Sequence, residues 1–299
     1  MTWEKEIEGF RTYLKVEKGL SDNSIHAYVT DLQKLVVYLR EKGMNIGPDQ
    51  VVLANLKTMM QEITDRGISP RTQARIISGI KSFYKYLLIE EKVEKDPTAL
   101  LEAPRVGRKL PEVLTVEEID SIINTIDVKK SEGQRNKAIL ETLYSCGLRV
   151  SELIDLKISN LFFESGFVKI EGKGSKERLV PISTKAIKEI NLYLSDYRRT
   201  LKIDPADEDI LFLNRRGKKL SRVMIFTIIK TLVAKVGLTK NISPHTFRHS
   251  FATHLIDGGA NLRAVQEMLG HESIITTEIY THLDKEYLKN TIVQYHPRS

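Results

Sequence analysis

The sequence predicts a mainly α-helical protein with one small β-sheet, divided into two domains. Three observations predict it. Apolar residues recur at i, i+3 and i+4 through most of the 299 positions, which is the helical period. Short runs of strand character separated by turns lie between Leu161 and Val180. A segment rich in proline, glycine and basic residues, APRVGRKLPEVL, interrupts the helical pattern and reads as an exposed connection. The expected organisation is a helical domain over 1–103, a linker over 104–114 and a mixed α+β domain over 115–299.

The first domain reads as four helices. The first runs from Trp3 to Val16 and stops near Gly19. The second begins at Ser21 or Asp22, presents Ile25, Tyr28, Leu32, Leu35, Val36 and Leu39 on one face, and ends before Gly43. A third covers about Pro48 to Thr64. The fourth has Ser69 as N-cap and Pro70 at its first position, and buries Ile76, Ile77, Ile80, Tyr84 and Leu87. Its other face carries Arg71, Arg75, Ser78, Ser82 and Lys85. Such a polar stripe is ordinarily a solvated surface. In a basic chain it also suits a nucleic-acid backbone or groove.

In the second domain, Thr115-Val-Glu-Glu is a capping-box pattern that starts a helix. Another helix runs from about Gln134 to Cys146 and is closed by Gly147, with Arg149 at the turn that follows. Glu152, three residues on, either supports that arginine or is a simple surface acid. Three strands are expected at 161–163, 167–170 and 177–180, with Gly172-Lys173-Gly174-Ser175-Lys176 as the turn between the last two. Helices follow over 184–200 and 221–236, with a buried strand or turn at 210–213 and a basic tip, NRRGKK, between them. Ser243-Pro244 opens a further helix that Gly258-Gly259 ends, and Leu262, Val265, Met268 and Leu269 mark a short amphipathic one closed by Gly270. A last amphipathic helix spans about 284–294.

The formal net charge is +7, which suggests an anionic partner, nucleic acid foremost, although a basic soluble enzyme fits it too. One cysteine, Cys146, excludes an internal disulfide and fits a reducing cytoplasm. The opening MTWEKEIEGF lacks the apolar run of a signal peptide, and no stretch is long and apolar enough to span a bilayer.

Chemistry concentrates between Ser243 and His282, which holds five of the seven histidines together with Tyr280. His245 and Arg248 share a helix face, and His271 follows Gly270. Arginine binds phosphate through paired hydrogen bonds. Histidine donates or moves a proton near neutral pH, and a tyrosine hydroxyl is a covalent nucleophile. Together they suit attack on a phosphodiester without a metal. His245 and His249 have the i, i+4 spacing of a zinc helix, but Thr246 stands where the general-base glutamate would be. His249, His254 and His282 read as solvated or hydrogen-bonded side chains. Spacing alone leaves phosphotransfer and a plain polar surface both open.

The strings GLRVSEL, GKGSKERLVP, HTFRHSFATHL, LGH and IYTH, in that order and at these separations, resemble the tyrosine recombinase (phage integrase) family. The resemblance covers essentially the whole chain and lies with the XerC/XerD-type branch, whose members resolve chromosome dimers. It implies a SAM-like four-helix DNA-binding domain followed by a mixed α+β catalytic domain. It implies that Arg149, His245, Arg248 and His271 surround the scissile phosphate. Tyr280 would be the nucleophile that forms a 3′-phosphotyrosine bond, and Lys173 the acid for the 5′-oxygen. Arg71, Arg75 and Lys85 would contact DNA. No cofactor, metal or ATP is implied.

The implied partners are double-stranded DNA and a second recombinase subunit or paralogue in a tetramer on two sites. A septal DNA translocase belongs to the same role, and no membrane does. The resemblance also favours donation of the last helix to a neighbouring subunit over packing on its own domain. Cys146 and Glu278 depart from the family's usual residues, at positions without a catalytic role. A phage- or transposon-type integrase, a type IB topoisomerase, a metal nuclease and a pure DNA-binding protein are the alternatives.

Overall fold

The structure is a computed structural model and describes residues 1–105, 107, 112–130, 132–172, 176–270 and 285–298. The chain divides into two compact units, Met1–Lys109 and Leu110–Ser299.

The first unit holds α1 (Trp3–Val16), α2 (Asp22–Glu41), α3 (Leu53–Asp65) and α4 (Pro70–Ile89). Ser69 caps α4 by accepting the Thr72 amide, and Pro70 occupies the first helical position. The apolar faces read from the sequence are the buried ones: Leu32, Leu35, Ile80, Tyr84 and Leu87 are fully inside, around Phe10 and Phe83. Trp3 stacks on Phe83 at 5.9 Å and donates to the Ile46 carbonyl. The expected third helix over 48–64 is broken. Pro48–Gln50 is a single 3₁₀ turn, Val51 and Val52 are extended, and only then does α3 begin. Side-chain capping stops the continuous helix: Gln50 Oε1 accepts the Gly47 amide at 2.9 Å and Asn55 Oδ1 accepts the Val52 amide at 3.0 Å.

The second unit is built on α6 (Gly133–Cys146), nearly all of which is buried, packed against α8 (Thr184–Ser195) and α10 (Pro244–Asp257). Around these lie α5 (Val116–Asn124), α7 (Val150–Ile154), α9 (Arg222–Val236), α11 (Leu262–Leu269) and α12 (Lys285–Tyr295). Thr115 and Glu118 form the expected capping box at α5. The sheet is an antiparallel meander of β1 (Leu161–Phe162), β2 (Phe167–Glu171) and β3 (Glu177–Pro181), in which Ile170 pairs with Arg178 and Val168 with Val180. Helix α8 ends earlier than its periodicity suggests. Beyond Ser195 the Arg198 guanidinium donates to the Glu208 and Ile210 carbonyls, and 198–200 tightens to a 3₁₀ turn. Among the described residues, no helix is long and apolar enough to cross a membrane.

Helix α12 packs on its own unit, against α10, α11 and β3. Leu288 and Ile292 are in the core, while Tyr287 and Val293 face outward. Behind it the His296 ring packs at a tilt against Tyr144 at 4.8 Å and Phe251 at 5.4 Å. Arg298 is buried and pairs with Asp120 at 2.5 Å and Glu141 at 3.3 Å. Burial raises the Glu141 carboxyl above the usual range, against the pull of Arg298 and Lys185, and Glu189 adds to the rise. A carboxyl raised on folding stabilises most in acid, and that contribution fades as pH climbs through its folded value. Arg298→Ala removes the nearer cation, so its stability deficit should be largest where Glu141 is ionised, about 3 kcal/mol, and should shrink as pH falls. Urea unfolding at pH 5 and pH 8 checks this; a deficit as large at pH 5 overturns it.

Candidate active site

Helix α6 ends at Gly147, whose φ of +57° is left-handed. A Cβ there would lie 2.4 Å from the Phe251 ring, so only glycine fits. The chain then turns through buried Leu148 to Arg149, the N-cap of α7. Glu152 sits three residues into that helix and accepts both the Arg149 amide and Arg149 Nη1, each at 2.8 Å. It is 5% exposed, which settles the choice between support and surface acid in favour of support.

Two more arginines converge on the same carboxylate. Arg178 of β3 grips it with a fork, Nη1 to Oε1 and Nη2 to Oε2, both at 2.9 Å. Arg248 of α10 lies 3.8 Å from Oε2 and donates to the Gly147 carbonyl at 2.8 Å. Burial alone would raise Glu152, but the bonds from Arg178 and Arg149 outweigh it and hold the carboxyl below its ordinary range. Burial, and then repulsion from Arg149, lower Arg248 to about 10, so it stays charged at neutral pH.

The end of α11 completes the arrangement. The last carbonyls of a helix have no partner within it and carry its negative pole. Here three consecutive ones are each taken by a different arginine. Met268 O accepts Arg178 Nε at 2.8 Å, Leu269 O accepts Arg248 Nη2 at 2.6 Å and Gly270 O accepts Arg149 Nη2 at 3.2 Å. Gly270, at φ +63°, turns the chain out of the helix toward residue 271. An open cleft of about 740 Å³ lies over this cluster, lined by Arg149, Glu152, Arg178 and Gly270 and by Gly172 and Lys176 at the ends of the β2–β3 turn. Of the three arginines Arg149 is the most open, with its side chain 43% exposed.

Arg149 and Arg248 are therefore brought together. Ser243 caps α10, which puts Arg248 one turn in and leaves His245 exposed on the first turn. His254 is hydrogen-bonded, its Nδ1 2.7 Å from the Tyr144 hydroxyl. Lys173, His271 and Tyr280, with His282 and Glu278, lie outside the described residues. Gly172 N donates to Lys176 O at 2.7 Å, closing the hairpin on either side of Lys173. Among the described residues no three His, Cys, Asp or Glu side chains are grouped to hold a metal ion. On α4, Arg71 and Lys85 are exposed, whereas the half-exposed Arg75 is engaged by buried Asp31 at 2.5 Å, which also holds Lys34.

Arg178 is the site residue that sequence reasoning missed. The signal was present in the strand alternation. Arg178 shares a face with Val180 and pairs with Ile170, both buried, and a cation on the inward face of a strand needs a buried partner.

The phage integrase family model matches residues 112–287, and the phage integrase N-terminal SAM-like domain model matches 7–91. A tyrosine recombinase XerD of Oceanobacillus iheyensis is 42% identical over 99% of this chain and 99% of its own length. One of Staphylococcus haemolyticus is 41% identical over 98% of this chain and 99% of its own length. Among solved structures, the XerH site-specific recombinase bound to palindromic difH substrate, a post-cleavage complex, superposes with a TM-score of 0.68 at 25% identity, covering 95% of this chain and 83% of that one.

Proposed function

Because this chain belongs to the phage integrase family, the tyrosine recombinases, we propose that it cuts and rejoins DNA at a dif-like site and resolves chromosome dimers during cell division. The observation that carries this reading is the arginine cluster at the end of α11, open to a cleft at Arg149. Arg149, Arg248, His245 and His271 hold the scissile phosphate and stabilise the charge that builds on it. A free tyrosine has a pKa of about 10, so it needs this cationic surrounding, or a base, to become a competent nucleophile. Tyr280 attacks phosphorus and forms a 3′-phosphotyrosyl bond as the 5′-oxygen departs, which Lys173 protonates. A 5′-hydroxyl from the partner strand then reverses the step. Linkage energy stays in the covalent bond, so no ATP is consumed.

Full-length likeness to XerD proteins supports the dimer-resolving role over that of a transposon integrase or type IB topoisomerase. In that role the protein works in the cytoplasm, as one pair of subunits in a tetramer on two sites. The other pair is a copy or a paralogue, and a septal DNA translocase triggers exchange. The first unit, with the SAM-like match, clamps the duplex and the second carries the chemistry.

The test is a nicked suicide duplex built on a site that this protein selects from a random-sequence pool. A covalent protein–DNA adduct formed in EDTA supports the proposal. No adduct, or cleavage only with metal, sinks it. Relaxation of a plasmid lacking the site would favour a topoisomerase. On the same duplex, log affinity should fall linearly with log salt, with about −0.9 in slope for each phosphate contact. Arg71→Ala and Lys85→Ala should each flatten that slope by about one contact. Arg75→Ala should also weaken the first unit, since it takes a cation from buried Asp31. Unchanged slopes would remove α4 from the DNA interface.

A further inference from the structure

We propose that Arg178 is a positioning residue of the transfer site: it aligns Arg149 through Glu152 and fastens the β2–β3 hairpin to the end of α11. This rests on the recombinase reading above. One guanidinium joins three elements remote in sequence. Its fork holds both Glu152 oxygens in α7, its Nε is bonded to the Met268 carbonyl in α11, and its own backbone belongs to β3.

Each bond constrains something the chemistry needs. Glu152 offers the Arg149 guanidinium Oε1 and its amide Oε2, the same two atoms that Arg178 grips. With Arg178 in place the carboxylate has one orientation, and Arg149, the most exposed of the three arginines, is presented to the cleft from a fixed base. Without it, Glu152 keeps Arg149 and, at 3.8 Å, Arg248, and is free to rotate toward either. The bond to Met268 lies two residues before Gly270, and Gly270 packs on Arg178 so closely that a Cβ would stand 3.2 Å from its Cδ, Nε and Cζ. The C-cap of α11 is thus set against the same side chain. On the hairpin, Arg178 anchors the start of β3 to Glu152 and to the Met268 carbonyl. Arg178 itself is only 14% exposed, which suits an internal brace and not a DNA ligand.

The predicted signature separates chemistry from binding. On the nicked duplex at saturating protein, Arg178→Met should slow single-turnover adduct formation by about 100-fold, as loss of an outer supporting contact does, with the Kd for DNA changed less than about threefold. Arg178→Lys restores the charge but not the fork, and should recover about tenfold of that loss. Because Arg178 acts through Glu152, the Arg178→Met, Glu152→Gln pair should cleave no slower than the slower single variant. Wild-type rates in Arg178→Met, or losses that multiply in the pair, would overturn the proposal. If Arg178→Met does not fold, Arg178→Lys decides alone. About tenfold slower cleavage at unchanged Kd supports the role, and wild-type cleavage overturns it. Adduct from the wild-type protein separates the two readings: its absence sinks the recombinase proposal, whereas its presence with undiminished Arg178 variants sinks only this one.

Discussion

Tyr280→Phe is expected to bind DNA as the wild-type protein does and to form no covalent adduct, a loss of at least about 10⁴-fold in cleavage. The substitution removes one oxygen. Affinity for DNA rests on lysine and arginine contacts with many phosphates, none of which the change touches. The cleavage step, by contrast, needs a hydroxyl that can become an ester of phosphorus, and phenylalanine has none. Gel retardation and denaturing electrophoresis of the same samples separate the two effects. Residual adduct would mean that another residue attacks, and lost binding would mean that Tyr280 is structural.

The second large effect is expected from Arg248→Lys. Arg248 is 5% exposed and its two terminal nitrogens are committed to the Gly147 and Leu269 carbonyls. An ammonium on a flexible stem cannot meet both and still face a phosphate. One buried carbonyl loses its donor, which costs about 1–3 kcal/mol, and loss of one aligned cation at the reacting centre costs about 10²–10³ in rate. The variant should therefore melt lower and cleave slowly even at saturating DNA. A variant with normal cleavage would take Arg248 out of the site, whatever its stability.

Much of this was legible in the sequence because the signals are local. Trp3–Val16, Asp22–Glu41 and Arg222–Val236 follow from apolar period and glycines within a few residues of their ends, and the start of Pro70–Ile89 from its Ser69 cap. Arg149 and Arg248 stood out because their strings are distinctive. What escaped depends on side-chain bonds that the apolar period does not report. The break before Leu53 rests on side-chain caps at Gln50 and Asn55, inside a pattern that otherwise reads as one helix. The end of α8 is decided by carbonyls at Glu208 and Ile210. The amphipathic pattern of α12 announces a buried face without saying what covers it; α10, α11 and β3 do so, over Leu288 and Ile292. Arg178 was hidden because Glu152 and Met268 are far from it in the chain, though adjacent in the fold.

The cluster at the end of α11 also has an arithmetic. Three guanidiniums and one carboxylate sum to two positive charges. A phosphodiester at rest carries one negative charge, and a five-coordinate phosphorane formed by attack of a phenolate carries two. Under the recombinase reading these four groups by themselves exceed the charge of resting DNA and match that of the species in flight, the condition under which binding energy lowers a barrier and does not deepen a well. Glu152 sets that balance. Without its charge the sum would be three, and the site would hold the uncut strand more tightly than it needs to.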